Sequence, residues 1–167
     1  PRGDRDVRLH ERDEPAARIV HQVVLNGSAQ CVVTADGVAY VGTSNGNLVA
    51  VDLAGGTVLH SLPVGLAIHD LAWHGRILLA ATVSDLRTFA LEGEALVQLD
   101  VQPLSLFPEG ITGQRRVSVS RGIAYATSYP GFDTVEVSNP SALVRIAAAT
   151  EHGPNSFKQL LPTGTGL

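Results

Sequence analysis

The sequence predicts an all-β chain built from β-propeller blades, and three observations carry that reading. The first is a repeat. Gly37-Val-Ala-Tyr-Val-Gly-Thr43 through Leu48-Val-Ala-Val-Asp-Leu53 returns as Gly75-Arg-Ile-Leu-Leu-Ala-Ala81 through Leu86-Arg-Thr-Phe-Ala-Leu91, at an offset of 38 throughout (75−37, 86−48, 91−53). It returns again as Gly122-Ile-Ala-Tyr-Ala-Thr127 through Thr134-Val-Glu-Val137. A period of about 40 with strand–turn–strand texture marks a propeller blade. The second is turn chemistry: Asp36-Gly37 and Asn45-Gly46 separate short apolar runs, and such pairs favour tight hairpins because both turn residues need positive φ. The third is that the second and third runs of each unit are almost continuously apolar, as strands buried on both faces are.

Each unit divides into four strands. In the first these are 29–33, 38–42, 48–53 and 57–62, with turns at 35–37, 44–46 and 54–56. In the second they are 68–73, 77–81, 86–91 and 95–101, with turns at 74–75, 83–85 and 92–94. In the third they are 116–119, 123–127, 134–137 and 143–148, with turns at 120–122, 128–132 and 138–141. The repeat places Val49/Val51, Arg87/Phe89 and Val135/Val137 at equivalent positions, and puts the small residues Gly42, Ala80 and Ala126 where neighbouring sheets approach. Residues 7–10 and 17–25, joined by a charged turn, read as the outer half of a preceding blade. Residues 156–161 and the Gly164/Gly166 turn read as the first strand of a following one. The chain is thus expected to hold three whole blades, at about 26–64, 65–102 and 114–150, and two complementary halves at 1–25 and 151–167. The halves would close a four-bladed ring, join two copies in a seven-bladed ring, or be completed by the remainder of a longer propeller. The surplus between units two and three falls in 103–114, expected to be an excursion on the ligand-side face.

A chain of 167 residues with 44% hydrophobic and 17% charged residues suits one packed domain. The net charge is −4 with the two signs interspersed, so no basic patch for nucleic acid is formed. No apolar run reaches the ~18 residues of a membrane-spanning helix. The single cysteine, Cys31, excludes an internal disulfide and lies in an apolar run, as a small core residue would. There is no methionine, and the chain begins Pro-Arg-Gly-Asp, which reads as a processed or partial chain.

The third unit resembles the LVIVD repeat of bacterial propeller proteins, in Gly122-Ile-Ala-Tyr-Ala126 followed by Val135-Glu-Val-Ser-Asn-Pro140. The first is similar to the quinoprotein-type (PQQ-like) repeat, in Tyr40-Val-Gly-Thr43, Asn45-Gly-Asn-Leu48, Ala50-Val-Asp52 and Gly56-Thr-Val-Leu59. That repeat usually ends in tryptophan, where His60 stands here. The resemblance implies a secreted or cell-surface bacterial binding or scaffolding module. Its alternative is a lactonase- or quinoprotein-like enzyme with a site at the channel mouth.

No catalytic residue, metal site or cofactor is assigned. The His69 and His74 spacing puts their rings on opposite faces of a strand. His-Glu-x-x-His, paired-cysteine and EF-hand patterns are missing from the sequence. Ser44-Asn-Gly-Asn47 lacks a carboxylate pair for Ca²⁺ and reads as a hairpin turn. Asp36, Asp52 and Asp85 read as turn residues bonding nearby backbone N–H groups. His60 and His74 are expected at strand ends and turns. Geometry supplies the functional candidates instead. Loops between second and third strands, and those leading into first strands, share one propeller face. That face would carry Asn45, Asn47, His69, Asp70, Asp85, Glu109, Arg115, Arg116, Tyr129, Phe132, Asp133, His152 and Asn155. The mixture suits a surface for a protein or small-molecule ligand, and an enzyme would draw on His69, Asp70 and Glu109.

Overall fold

The computed structural model describes residues 19–93, 95–105, 113–128 and 131–150, the side chains of 149 and 150 apart. Twelve strands form three four-stranded antiparallel sheets, and no helix occurs among the described residues. The first sheet is β1 (Ala29–Ala35), β2 (Val38–Thr43), β3 (Asn47–Asp52) and β4 (Thr57–Pro63). The second is β5 (Ile68–His74), β6 (Ile77–Thr82), β7 (Asp85–Glu92) and β8 (Ala95–Pro103). The third is β9 (Arg116–Ser120), β10 (Ile123–Ser128), β11 (Gly131–Glu136) and β12 (Val144–Thr150). In each, the strands lie side by side in chain order. Strand β5 touches both β1 and β9, so the first strands form the inner edge of a stack of blades.

The hairpins follow from local chemistry. Ala35 pairs with Val38, so Asp36-Gly37 is the whole turn. Both residues have positive φ, 49° and 80°, as a type I′ turn requires. Arg121-Gly122, at 50° and 76°, does the same between β9 and β10.

The pairing corrects the repeat register. Gly42 faces Leu48, Ala81 faces Leu86 and Thr127 faces Phe132. One β-bulge recurs on each fourth strand, opposite Ala50/Val51, Thr88/Phe89 and Thr134/Val135. Val51, Phe89 and Val135 are therefore equivalent, as are Val49, Arg87 and Asp133. The expected Val135/Val137 match for the third unit is two residues out. The uniform offset of 38 also fails for the second strands: Thr43 corresponds to Thr82, because the turn to the third strand is one residue shorter in the second sheet. The turn expected over 128–132 is mostly ladder, since Ser128 pairs directly with Gly131. His60 lies inside β4, not at a strand end.

Both faces of the second sheet are buried, which accounts for its unbroken Ile77–Ala81 apolar run. Towards the first sheet, Leu71, Leu78, Ala80 and Phe89 pack with Tyr40, Leu48 and Ala50. Towards the third, Leu79, Ala81 and Leu86 pack with Val117, Ala124, Ala126 and Val135. Tyr40 and Trp73 meet across the first seam edge to face, with ring centroids 5.1 Å apart. Leu104 is buried in the second seam, so the start of the 103–114 excursion is core.

Residues 19–25 form no strand, contrary to the outer-strand expectation for 17–25. They run along the far face of the first sheet, where Val23 and Leu25 cover Ala39, Val49 and Val51. The His21 imidazole bonds the Ala54 carbonyl at 2.8 Å. The other half-blade segments, 7–10 and 156–161, lie outside the described residues, as do 106–112 of the excursion.

Gly42 shows how tightly the seam is made. A Cβ there would lie 2.5 Å from Ile68 Cγ2 and 2.6 Å from Cys31 Sγ. Overpacking of that kind costs about 1–3 kcal/mol. Gly42→Ala is expected to lower the unfolding free energy by that amount, read as a lower urea midpoint at unchanged m-value. An unchanged midpoint would show that β2 and β5 stand further apart.

Candidate functional site

The turns after β2 and β6, the end of β10 and the starts of β1, β5 and β9 lie at one end of the stack. Most of the charged candidates there hold blades together. Asp85 is buried. Its carboxylate accepts from Thr82 Oγ1 at 2.7 Å and takes the Arg87 guanidinium through Nε at 2.8 Å and Nη2 at 3.0 Å. Arg87 Nη1 also donates to the Val64 carbonyl, tying the second sheet to the connection from the first. Asp85 therefore bonds side chains rather than the turn N–H groups expected of it.

Arg115 and Asp133 form the corresponding clasp between sheets two and three. Arg115 is wholly buried. Its Nε donates to Val83 O at 2.9 Å, its Nη2 donates to Ser105 O, and its Nη1 lies 3.7 Å from Asp133. Asp133, 1% exposed, also accepts from the Ser105 backbone N–H and hydroxyl, with Arg145 at 3.8 Å. Burial pulls the Arg115 pKa down, and the charges of Asp133 and Asp85 oppose that pull. Charges this deep persist because they are paired and hydrogen-bonded.

Asn45 lies in the β2–β3 turn and Asn47 opens β3. Asn45 Oδ1 accepts from Thr43 Oγ1 at 2.8 Å and from Asn47 Nδ2 at 3.0 Å, while Asn45 Nδ2 donates to Asn26 Oδ1. This network closes a hairpin and matches the turn reading. Phe132 is half-buried in β11. Glu109, Tyr129, His152 and Asn155 lie outside the described residues.

What remains open to solvent is a polar set along the inner edge. His69 is the extra residue of a bulge between Ile68 and Asp70, as Gln30 is between Ala29 and Cys31. The Arg115 backbone N–H donates to His69 Nδ1 at 3.2 Å, which makes Nε2 the protonated, donating nitrogen. Burial, then the charges of Arg115 and Arg116, hold the His69 pKa below its usual value. Asp70 Oδ2 accepts the Val117 N–H at 2.9 Å, and Oδ1 lies 3.8 Å from Arg116 Nη1. Burial raises the Asp70 pKa, and its hydrogen bonds and Arg116 partly offset the rise. Gln114 joins Gln30 at 3.5 Å and Arg116 at 3.4 Å. Gln30, Gln114 and Ser105 were missed in the sequence. Gln114 could have been found only from its place before an inner strand, and Gln30 only from its place at the start of one.

Cys31, on the strand beside this set, packs against the first seam with its thiol towards Ile68 O. Burial and the Asp70 charge push its pKa up to about 12. Among the described residues no three His, Cys, Asp or Glu side chains converge as a metal site would require.

No protein-family profile matches the chain, and no curated protein matches it. Among solved structures the chain is similar to the computationally designed Ika4 protein, with TM-score 0.58 and 12% identity over 84% of this chain and 82% of that one. It is similar to the β-propeller domain of Myceliophteria thermophila Cps50 (Swd1), with TM-score 0.55 and 17% identity over 73% of this chain and 39% of that one. The computationally designed Ika8 protein gives TM-score 0.54 and 10% identity over 73% and 36%. The chain thus spans well under half of the last two. At such identities the likeness is one of fold: the three sheets are β-propeller blades.

Two outcomes follow. Removing one partner of a buried ion pair costs about 3–5 kcal/mol, so Arg115→Met should destabilise by that amount in urea. Adding Asp133→Leu should recover a large part of the loss; no recovery would deny that the pair is a unit. For His69, the unfolded chain takes up a proton first as pH falls. Stability is therefore full above the ordinary imidazole value of 6.5 and declines as pH drops from there towards the lower folded value. His69→Gln should remove that part of the decline in melting temperature between pH 7 and 5.

Proposed function

We propose that this chain is a non-catalytic binding module that takes a carboxylate-bearing ligand at the end of the stack where the inner strands begin. The observation that carries the reading is the partition of polar groups. Asp85, Arg115 and Asp133 are committed to the seams, whereas Gln30, His69, Gln114 and Arg116 remain at the inner edge, partly or fully open to solvent. That second group is rich in donors: a neutral imidazole, two amides and a guanidinium. Arg116 is the residue suited to two-pronged carboxylate recognition. An acid–base enzyme would need a free base facing a substrate. Asp70 already takes an N–H on one oxygen and faces Arg116 with the other, and His69 Nδ1 is occupied by the Arg115 N–H.

The test is an NMR titration with a short acidic peptide capped at both ends. Resonances of Gln30, His69, Gln114 and Arg116 are expected to move together. Arg116→Ala should weaken binding about tenfold, the size of one charge-assisted hydrogen bond. It should shift stability by about 1 kcal/mol, because the Arg116 side chain is 42% exposed and lies 3.8 Å from Asp70. Shifts confined to other loops, or equal affinity in Arg116→Ala, would overturn the reading.

A further inference from the structure

The two seams between blades are built alike except at the end away from the inner-edge polar set. At the second seam, the chain between β11 and β12 is long: Glu136 and Val144 are the last and first paired residues. Its backbone reaches back onto the second sheet. Thr88 Oγ1 donates to Pro140 O at 2.6 Å, and Asp100 Oδ2 accepts the Leu143 N–H at 2.6 Å. At the first seam, the matching turn between β7 and β8 is minimal, since Glu92 pairs directly with Ala95. The residue corresponding to Thr88 is Ala50, and the one corresponding to Asp100 is His60. Among the described residues neither bonds a turn backbone. The gap is a cleft of about 390 Å³, lined by Val38, Tyr40, Ala50, Asp52, Leu59 and Gly93.

The lining has a distinct chemistry. Val38, Ala50 and Leu59 give an aliphatic wall, Tyr40 an aromatic one, and Asp52 a carboxylate. The Ala54 and Gly55 N–H groups fix that carboxylate at 3.3 Å and 2.6 Å, which leaves it further acceptor capacity. No cation stands among the described residues of the lining, and the field of Asp36 also reaches the Tyr40 phenol, whose pKa burial and that charge raise. On β4, His60 Nε2 is buried with no hydrogen-bond partner among the described residues, where Asp100 has one in the second seam. An aliphatic slot ending in an anion is complementary to an apolar chain ending in a cation.

We propose that this cleft binds a primary alkylammonium group, with its methylenes against Val38, Ala50 and Leu59 and its charge at Asp52 and Tyr40. The group is that of a free aliphatic amine or of a lysine side chain on a partner. The site is at the opposite end of the blades from the carboxylate-binding surface and stands independently of it.

The test uses the whole chain with methyl-labelled Val and Leu. n-Butylammonium is expected to shift the Val38 and Leu59 methyls saturably, and n-butanol and butyrate are not. Asp52→Asn should weaken n-butylammonium about tenfold or more, the loss of a charged partner. A capped Gly-Lys-Gly peptide distinguishes the sources: tighter binding than n-butylammonium marks a lysine-bearing partner, and weaker binding marks a free amine. Butanol binding as well as the amine, unaltered binding in Asp52→Asn, or no methyl shifts with native protein would each overturn the proposal.

Discussion

The first and second four-stranded sheets are apolar on both faces, and a sheet of that kind has to be covered on both sides. The apolar area removed from water at about 25 cal/mol per Å² outweighs any single polar contact in the chain. The second sheet meets the demand fully, with Leu78 and Phe89 facing one neighbour and Leu79 and Leu86 facing the other. The first sheet meets it on its outer face through an irregular segment, with Val23 and Leu25 laid over Ala39, Val49 and Val51. Stacking of blades follows from this demand, and so do the small residues and tight tolerances along each seam. Gly42, where a side chain would strike Ile68 and Cys31, is the clearest instance.

Close stacking then decides what polar groups at the seam do. Arg87 and Arg115 are each drawn into the interior, and each arrives with an aspartate and backbone carbonyls to meet it. Such pairs contribute less to net stability than the apolar packing around them, since desolvation consumes much of their attraction. Their effect is on register: Arg115 bridges the turn after β6, the start of the excursion at Ser105 and the third sheet, and only one alignment satisfies all three. Gln30, His69, Gln114 and Arg116 at the inner edge stay partly or fully exposed, and the proposed ligand surface rests on that exposure.

Turn length has the same kind of authority at the other end. The long turn before β12 fills the second seam with its own backbone, through Pro140 and Leu143. The two-residue turn before β8 leaves the first seam open beside Asp52. One repeat architecture thus yields a sealed junction and a cleft from a difference of a few residues in one loop.

The sequence by itself determined the blades. Apolar runs of strand length, Asp36-Gly37 and Asn45-Gly46 at the turns and the repeat are local signals, and local backbone preference with period-two burial reads them directly. It also placed Asn45 in the turn between β2 and β3. Tertiary structure decided the register of the third unit, because equivalence rests on which residue faces which across the ladder; Asp133, not Val135, matches Arg87. It decided that Asp85, Arg115 and Asp133 are seam residues, since burial of a charged side chain depends on a neighbouring sheet that no local pattern encodes. It decided, finally, that Gln30 and Gln114, far apart in the chain, meet at the inner edge. Contacts between separate blades are set by how sheets stack, and that information is spread over the whole chain.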